Sequence, residues 1–486
     1  MPQASDYEVV IGLEVHAQMR TRSKIFCGCP TTFGAAANTQ ICPICAGFPG
    51  VLPVLNGEAV SMAIKTGLAI GGTINPRSEF SRKNYFYPDL PCGYQITQFE
   101  WPIVSHGHLY IEGRDVPRKR VGITRIHMEV DAGKSLHEGI EGASWVDLNR
   151  TGVPLMEIVS EPDMRSAEEA GEYLKKLRTV LRYLEVCDGN MEEGSFRCDA
   201  NVSIRPWGQA QYGTRCELKN LNSIRHVMRA IEFEVERQID VVESGGVVDQ
   251  ETRLWDANKG ETRSMRSKED AHDYRYFPEP DLPLLILTPE RIAAVAATLP
   301  ELPDAREQRY QDGYGLSPYD AQVLAAERER GDYFEQAVQE VARVTGKANP
   351  KGVANWIGSE LLGLLNKDGR DIVDSPIAPV QLGRLVALID REVISGKIAK
   401  QVFARMFETG ADPEQIVETQ GLRQVTDSGA IAEAVRQVLE NHPAEVAAYR
   451  GGKDKLLAFF VGQVMKITKG KANPALVNQL VKDQLG

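Results

Sequence analysis

The stretch GLEVHAQ, residues 12–18, alternates apolar and polar side chains. Because successive residues of a β-strand point to opposite faces of a sheet, this alternation predicts a strand with one buried face and one polar face. The polar face carries an acid, an imidazole and an amide, from Glu14, His16 and Gln18. An ordinary solvent-facing strand prefers dispensable polar residues such as Thr and Lys, so these reactive groups favour a functional site.

Three further stretches within the first 205 residues show the same pattern. They are RIHMEVD at 125–131, LMEIVSE at 155–161 and FRCDANVSI at 196–204. Their polar positions carry acidic, imidazole, guanidinium, amide and hydroxyl groups, namely Arg125, His127, Glu129, Asp131, Glu157, Arg197, Asp199, Asn201 and Ser203. Together the four strands predict the floor of a site that holds a cation and an anionic substrate, and a solvent-wetted sheet face is the alternative.

A divalent-cation site is one prediction for this face. Glu14, His16, Glu129 and Glu157 offer mostly hard oxygen ligands, which favour Mg²⁺ or Mn²⁺ over a soft metal if the four converge. Carboxylate-bound Mg²⁺ with open coordination positions commonly holds nucleotide phosphates.

Paired cysteines form a second candidate metal site. Cys27 and Cys29 are followed, after twelve residues, by Cys42 and Cys45, on turns rich in Gly and Pro. Two close thiolate pairs can complete a tetrahedral zinc site without an open position, so the metal would be structural. Free thiols without a metal are the alternative.

Composition and charge limit the class of protein. With 486 residues, 42% of them hydrophobic, the chain is long enough for about three domains. No apolar run approaches the roughly 20 residues that a membrane span requires, and the strand pattern that starts by Tyr7 leaves no room for a targeting peptide. Eight cysteines without a leader indicate thiols in a reducing compartment, so we expect a cytoplasmic protein. The net charge of −11 argues against a broad nucleic-acid-binding surface.

The sequence pattern changes along the chain, and we predict an α+β protein with three domains. Residues 1–290 mix strand patterns with two helices, one after Ser166 and one from near Asn222. Amphipathic helical patterns then predict an all-helical domain at 291–407 and a small helical tail domain at 408–486. From Glu440 to the C-terminus seven basic and four acidic residues leave a net charge of +3. This basic end suits a local phosphate contact, and a solvated helical bundle is the alternative.

Common nucleotide-binding motifs are not found. Ala132-Gly133-Lys134-Ser135 resembles the end of a P-loop, but Met128 stands where the first glycine belongs. Phosphates could instead be held by Arg82, Lys83 and Lys219. The stretch SRKNYFY at 81–87 interleaves cations with aromatic rings, which suits a nucleotide, although a charged loop over an aromatic core has the same composition.

Several long sequence motifs in this chain resemble those of the B subunit of the bacterial tRNA-dependent amidotransferases. They run in that family's order: GLEVHAQ, the paired cysteines, RKNYFYPDLP, GYQITQ, RIHMEVDAGKS, VDLNRTGVPLMEIVSEPD, MEEGSFRCDANVSIRP, ELKNLNS and DYRYFPEPDLP. The resemblance covers nearly the whole chain.

The resemblance implies a two-step reaction. The B subunit uses ATP and Mg²⁺ to phosphorylate the side-chain carboxylate of glutamate misacylated on tRNA-Gln, or of aspartate on tRNA-Asn, and ammonia then displaces the phosphate. A glutaminase A subunit supplies the ammonia through a tunnel, and a small C subunit ties the two together. The resemblance also implies a cradle-like mixed domain, a helical domain and a tail domain that binds tRNA.

Site residues follow from the same resemblance. It implies that Mg²⁺ is bound by Glu14, His16, Glu129 and Glu157, that the nucleotide contacts Lys83, Asn84 and Tyr85, and that zinc is bound by Cys27, Cys29, Cys42 and Cys45. The remaining pocket lining would be Arg197, Asp199, Asn201, Lys219 and Asn220. Two positions depart from the family pattern: Val130 replaces a common second acid, and Cys92 replaces a common lysine.

Two other classes of function compete with this interpretation. A stand-alone Mg²⁺-dependent phosphotransferase acting on a small carboxylate would need no basic tail and no tRNA. A non-catalytic zinc-containing RNA-binding module would leave the acids and the histidine of the strands unexplained, and its net charge should be basic.

Overall fold

The chain forms two compact units, residues Met1–Leu302 and Pro303–Gly486. The computed structural model describes residues 6–136, 143–265, 274–424, 428–468 and 471–486. The first unit contains a large mixed sheet with helices, and the regular elements of the second unit are helices in its described residues, which confirms the predicted α+β class. No helix in these ranges is long and apolar enough to cross a membrane.

The first unit is built from sixteen described strands and four helices. In chain order they are β1 (Tyr7–Gln18), α1 (Gly57–Ala69), β2 (Thr73–Ile74), β3 (Arg77–Ser78), β4 (Ser81–Asn84), β5 (Tyr94–Thr97), β6 (Val104–Ile111), β7 (Lys119–Val130), β8 (Lys134–Leu136), β9 (Trp145–Asp147), β10 (Pro154–Ser160), α2 (Ala167–Tyr183), β11 (Phe196–Pro206), β12 (Cys216–Leu221), α3 (Ile224–Glu243), β13 (Thr252–Asp256), β14 (Glu261–Ser264), β15 (Phe277–Pro278), β16 (Leu285–Ile286) and α4 (Pro289–Ala296).

Nine strands form the main sheet, in the order β14-β13-β12-β11-β1-β10-β7-β6-β2. The four stretches predicted from their alternation are therefore four adjacent strands, β11, β1, β10 and β7. They pair antiparallel, with His16 opposite Arg197 on one side and opposite Glu157 on the other. Glu157 in turn lies opposite His127. This register brings the polar side chains of distant stretches onto one surface.

The apolar face of these strands forms the core of the first unit. Leu13, Val15 and Ala17 are almost completely buried, as the alternation predicts. The helices α2 and α3 pack against each other and lie on this face of the sheet. Each begins where a serine caps it: Ser166 Oγ accepts a hydrogen bond from the backbone N–H of Glu169, and Ser223 caps α3 in the same way.

The second unit consists of helices around two hydrophobic cores, one from Tyr310 to Val417 and one from Ile431 to Leu485. The helices are α5 (Pro303–Tyr314), α6 (Pro318–Ala325), α7 (Arg328–Thr345), α8 (Pro350–Trp356), α9 (Leu362–Asp368), α10 (Pro379–Asp390), α11 (Gly396–Thr409), α12 (Pro413–Thr419), α13 (Ser428–Asn441), α14 (Pro443–Arg450), α15 (Leu456–Ile467) and α16 (Pro474–Leu485). A π-helical turn, Ile357–Leu361, joins α8 to α9, and a 3₁₀ turn, Ile372–Asp374, precedes α10.

The three-domain division at residues 290 and 407 stays a prediction. Residue 290 falls within α4, whose Val295 belongs to the core of the first unit. Of the basic residues near the C-terminus, Lys469 lies outside the described residues.

A buried carboxylate in the second unit yields a pH-dependent prediction. Glu340 on α7 accepts hydrogen bonds from Arg343 Nε at 2.6 Å and Arg384 Nε at 3.1 Å. The bond from Arg343 lowers the pKa of Glu340 from 4.5 to about 2. Because the folded pKa is the lower one, the stabilisation is present above pH 4.5 and is lost as the pH falls towards 2. We expect Glu340→Gln to lower the free energy of unfolding by about 1–2 kcal/mol at pH 7.

The measurement is urea denaturation of both proteins between pH 7 and pH 3.5, and the difference between them should shrink below pH 4.5. The matched control is Glu408→Gln, since Glu408 pairs with Arg405 at the same helical spacing but both side chains are more than half exposed. A constant Glu340 difference across this pH range would contradict the prediction.

Candidate active site

Three of the predicted ligands converge on the polar face of the main sheet. One ligand atom from each of His16, Glu129 and Glu157 lies within 4.8 Å of the others. His16 Nε2 is 3.4 Å from Glu157 Oε2 and 3.9 Å from Glu129 Oε1. Two carboxylates and one imidazole form a donor set that fits Mg²⁺ or Mn²⁺. We call His16, Glu129 and Glu157 the acid–imidazole group.

A second histidine adjoins the acid–imidazole group. His127 Nε2 lies 3.1 Å from Glu157 Oε2 and 3.7 Å from Glu129 Oε2. Burial lowers the pKa of His127, but the charge of Glu157 and its bonds to both acids outweigh this effect and raise it to about 9. Burial opposes ionisation of Glu157, yet the charges of the two histidines hold its pKa well below the usual range. The alternation of RIHMEVD predicts His127 on this face but gives it no role, and its spacing of two residues from Glu129 is the signal for its place beside the acids.

Glu14, the fourth predicted ligand, lies outside the acid–imidazole group. Its Oε1 accepts a hydrogen bond from Asn201 Nδ2 at 2.9 Å. Burial and the charge of Glu157 raise the pKa of Glu14. A pocket of about 220 Å³ opens here, lined by Val10, Gly12, Leu13, Glu14, Val159, Ser160, Pro162, Asn201, Ser203, Tyr212, Gly213 and Arg215. Glu14 thus borders both the pocket and the group.

The predicted cations of β11 and β12 are held by acids. The Arg197 guanidinium makes hydrogen bonds of 3.1 and 3.2 Å to the two carboxylate oxygens of Asp131. Burial opposes ionisation of Asp131, but the charge of Arg197 dominates and lowers its pKa. Lys219 Nζ lies 2.7 Å from Asp199 and 2.9 Å from Glu217. Arg197, Asp199 and Lys219 therefore form an ordered polar row beside the acid–imidazole group.

Asn220 differs from the other predicted lining residues. Its backbone adopts a left-handed conformation, with φ of 68°. Its side-chain Nδ2 donates a hydrogen bond to the backbone carbonyl of Trp255 on β13, at 3.0 Å. The contact that Asn220 makes in this structure thus joins two strands.

Of the predicted nucleotide contacts, Lys83 and Asn84 lie on β4 in a small sheet of β15, β4 and β5, and Tyr85 follows directly. Lys83 Nζ is 4.7 Å from the ring centre of Tyr274 and 5.7 Å from that of Tyr85. Burial and the charge of Glu129 raise the pKa of Tyr85, so its hydroxyl stays neutral close to the acid–imidazole group. Asn84 Nδ2 donates to the backbone carbonyls of Tyr274 and Arg275 at 3.1 and 2.8 Å.

Hydrogen bonds join the small sheet to the C-terminal end of β7. Thr97 Oγ1 donates a hydrogen bond to Glu129 Oε2 at 3.2 Å, and Gln95 Nε2 donates to the Val130 carbonyl at 2.8 Å. Arg82, which the sequence suggested for phosphate binding, is occupied: it donates two hydrogen bonds of 2.8 Å to Glu279. Its role on the small sheet is an internal ion pair.

The four paired cysteines also converge. The sulfurs of Cys27, Cys29, Cys42 and Cys45 all lie within 4.8 Å of one another, as a tetrahedral zinc site requires. A hydrogen bond with Cys27 lowers the pKa of the Cys45 thiol to about 4, and the charge of Lys24 adds to this effect. A thiolate ready for metal binding fits the predicted structural site.

Lys24 connects the cysteine cluster to the main sheet. Its fully buried ammonium donates hydrogen bonds to Cys45 Sγ at 3.5 Å and to the carbonyls of Gln40 and Leu148 at 2.7 and 3.3 Å. Leu148 begins the turn that leads into β10. The cluster therefore supports the strand that carries Glu157.

Comparison with known families assigns both units. Residues 9–293 match the family described as the GatB/GatE catalytic domain, which contains the whole acid–imidazole group and the cysteine cluster. Residues 332–485 match the family described as the GatB domain.

Curated relatives match over the full length. The chain is 59% identical over 480 residues to the B subunit of the aspartyl/glutamyl-tRNA(Asn/Gln) amidotransferase of Alkalilimnicola ehrlichii, and the match covers 99% of both chains. The proteins of that name from Solidesulfovibrio magneticus and Geobacter sulfurreducens are 59% and 56% identical, again over 99% of both chains. The chain therefore belongs to the B-subunit family of the tRNA-dependent aspartyl/glutamyl amidotransferases, which are ligase-type enzymes.

Proposed function

We propose that this chain activates the side-chain carboxylate of glutamate or aspartate misacylated on tRNA-Gln or tRNA-Asn and converts it to the amide. The observation that carries the proposal is the acid–imidazole group, because it gathers cation-binding side chains at the centre of the matched catalytic domain. The names of the full-length relatives support the choice of substrate.

The reaction needs an activated acyl group. A carboxylate is a poor acyl donor, because its leaving group would be an oxide ion. In the proposed first step a carboxylate oxygen attacks the terminal phosphorus of ATP and ADP leaves. In the second step ammonia attacks the acyl carbon, the bond between this carbon and the phosphate oxygen breaks, and phosphate departs as the nitrogen loses a proton.

The residues of the polar face would position and stabilise charge. His16, Glu129 and Glu157 would hold Mg²⁺, which when bound withdraws negative charge from phosphate oxygens. Tyr85 and Lys83 lie beside the acid–imidazole group and would contact the nucleotide. Arg197, fixed by Asp131, presents a preorganised positive charge beside the group.

Partners follow from the same proposal. An A subunit would hydrolyse glutamine and supply ammonia, a small C subunit would join the A and B subunits, and residues 408–486 would bind tRNA through their basic side chains. Zinc at the cysteine cluster would be structural. The complex would work in the cytoplasm.

Loss of the Asp131 carboxylate charge tests the role of the Arg197 ion pair. We expect Asp131→Asn to lower kcat roughly 10–100-fold with a smaller change in KM, because Asn keeps the shape but removes the charge and one of the two oxygens that hold the guanidinium. The measurement is steady-state amide formation by the complex. Asp256→Asn is the control, since Asp256 pairs with Arg263 near the surface, away from the polar face. Equal kinetics of the Asp131 variant and wild type would contradict this role.

The proposal itself is tested with the chain in complex with its A and C subunits. ATP cleavage should require misacylated tRNA and yield Gln-tRNA-Gln or Asn-tRNA-Asn when ammonium is the nitrogen donor. ATP cleavage that is indifferent to tRNA would instead favour the stand-alone phosphotransferase. Binding of tRNA without any ATP cleavage would leave an RNA-binding module.

A further inference from the structure

One cation on the polar face has no partner among the residues that the structure describes. Arg125 lies on β7, and its Nε atom is buried without a hydrogen bond. Its lateral neighbours are Val159 on β10 and Ser105 on β6, and neither of these side chains carries a charge. Because an unpaired buried polar group costs free energy, its presence in a functional domain indicates a missing ligand.

Three other cations near the site are paired with acids within the protein. Arg197 is held by Asp131, Lys219 by Asp199 and Glu217, and Arg82 by Glu279. Their positive charges are already matched by acids. Within the described part of the chain, Arg125 is thus a strand guanidinium of this face for which no ion pair is found, and it is available for an anion.

Arg125 is close to the reacting region. It stands two residues from His127 on the same face of β7, a spacing of about 7 Å. Tyr276 lies within electrostatic range of both Arg125 and the acid–imidazole group. Burial raises the pKa of Tyr276 to about 12, the charges of Glu157 and Glu129 add to this, and the charge of Arg125 opposes it. The ring of Tyr276 is stacked on that of Phe99, with 4.0 Å between the ring centres. It is therefore near both Arg125 and the two acids.

We propose that Arg125 binds an oxyanion of the substrates beside the acid–imidazole group. This inference rests on the proposed function and supplies that site with an anion-binding residue. The oxyanion is either a phosphate of the nucleotide or the side-chain carboxylate under activation. A guanidinium suits both, because its planar fork donates to two oxygens of one phosphate or carboxylate and its charge stabilises the negative charge of phosphoryl transfer.

The test compares Arg125→Met and Arg125→Lys in the complex with its A and C subunits. We expect Arg125→Met to lower kcat/KM for tRNA-dependent ATP cleavage about 100-fold or more. Arg125→Lys should recover part of the loss, because it restores the charge but not the fork. The control is Arg120→Met, an exposed arginine on the same strand with the same change in net charge.

Thermal unfolding separates anion binding from a structural role. Arg125 is half-buried, and its buried Nε has no hydrogen-bond partner, so its removal should leave the melting temperature of the Met variant unchanged or raise it. A melting temperature that falls for both variants, in proportion to the lost activity, would overturn the inference. Wild-type kcat/KM in the Met variant would also overturn it.

Calorimetric titration with MgATP, without tRNA, distinguishes the two sources of the oxyanion. Affinity weakened at least ~10-fold in the Met variant assigns Arg125 to a nucleotide phosphate. Unchanged MgATP affinity with a raised KM for misacylated tRNA assigns it to the carboxylate. If the wild-type complex cleaves no ATP with misacylated tRNA, the proposed function fails. The MgATP titration then decides alone: unchanged affinity in the Met variant overturns the Arg125 inference.

Discussion

Glu129→Gln is expected to reduce tRNA-dependent ATP cleavage by the complex at least ~100-fold, because it removes a charged oxygen donor from the acid–imidazole group. The amide keeps the size of the side chain and can still accept the hydrogen bond that Thr97 donates. The sheet should therefore remain folded. The measurement is single-turnover ATP cleavage with saturating misacylated tRNA, with and without added Mg²⁺.

Binding of tRNA should be nearly unchanged in the Glu129 variant, since the basic residues proposed to bind it belong to the other unit. The matched control is Glu172→Gln on α2, because Glu172 pairs only with the half-exposed Lys175 among the contacts described for it. A Glu129 variant that cleaves ATP at the wild-type rate would show that the acid–imidazole group takes no part in ATP cleavage.

The second large effect is expected at the cysteine cluster. Wild-type protein should contain one zinc per chain, and Cys45→Ser should lose it, because serine does not supply a thiolate. The first unit should then melt at least ~5 °C lower, since a structural zinc contributes its binding free energy to folding. The measurements are metal analysis by mass spectrometry and calorimetric melting.

The matched control for Cys45 is Cys92→Ser, which changes an exposed cysteine outside the cluster. It should keep the zinc and the melting temperature of wild type. If Cys45→Ser retained both, the zinc would be bound outside the cluster, and wild-type protein without zinc would make the cluster a set of free thiols. Removal of zinc by a chelator should reproduce the Cys45→Ser melting curve.

The alternation of side chains made much of this fold predictable. Side-chain direction in a strand depends only on local backbone geometry, so the polar faces of β1, β7, β10 and β11 could be assigned from the sequence. The serine caps of α2 and α3 are equally local signals. The spacing of the paired cysteines is also a local feature of the sequence, and it predicted the cluster.

The ligand set was harder to predict, because it depends on the register between strands. His16 meets Glu157 because β10 pairs with β1 at that position. Glu14 and His16 lie two residues apart on one strand, about 7 Å, so which of them joins a compact group depends on the direction in which each side chain extends. The sequence pattern treated them as equivalent, and whether Glu14 binds the metal stays a prediction.

Partners distant in sequence decide which cations are available. Arg82 is neutralised by Glu279, which lies 197 residues further along the chain. The mixture of cations and aromatic rings around Arg82 gave no sign of this ion pair. The sequence likewise does not show whether Arg125 has an acidic partner. Its proposed role follows from the lack of an acid beside it among the described residues of the folded sheet, and not from a motif.

In the proposed reaction, this chain transfers a phosphoryl group to the substrate carboxylate before amide formation. The direct measurement uses misacylated Glu-tRNA-Gln with ¹⁸O in both side-chain carboxylate oxygens, incubated with the complex, ATP and ammonium. We predict that each amide formed releases one inorganic phosphate carrying one ¹⁸O, detected by mass spectrometry, while the other ¹⁸O stays in the amide. Label found in AMP or in water, with unlabelled phosphate, would contradict the account.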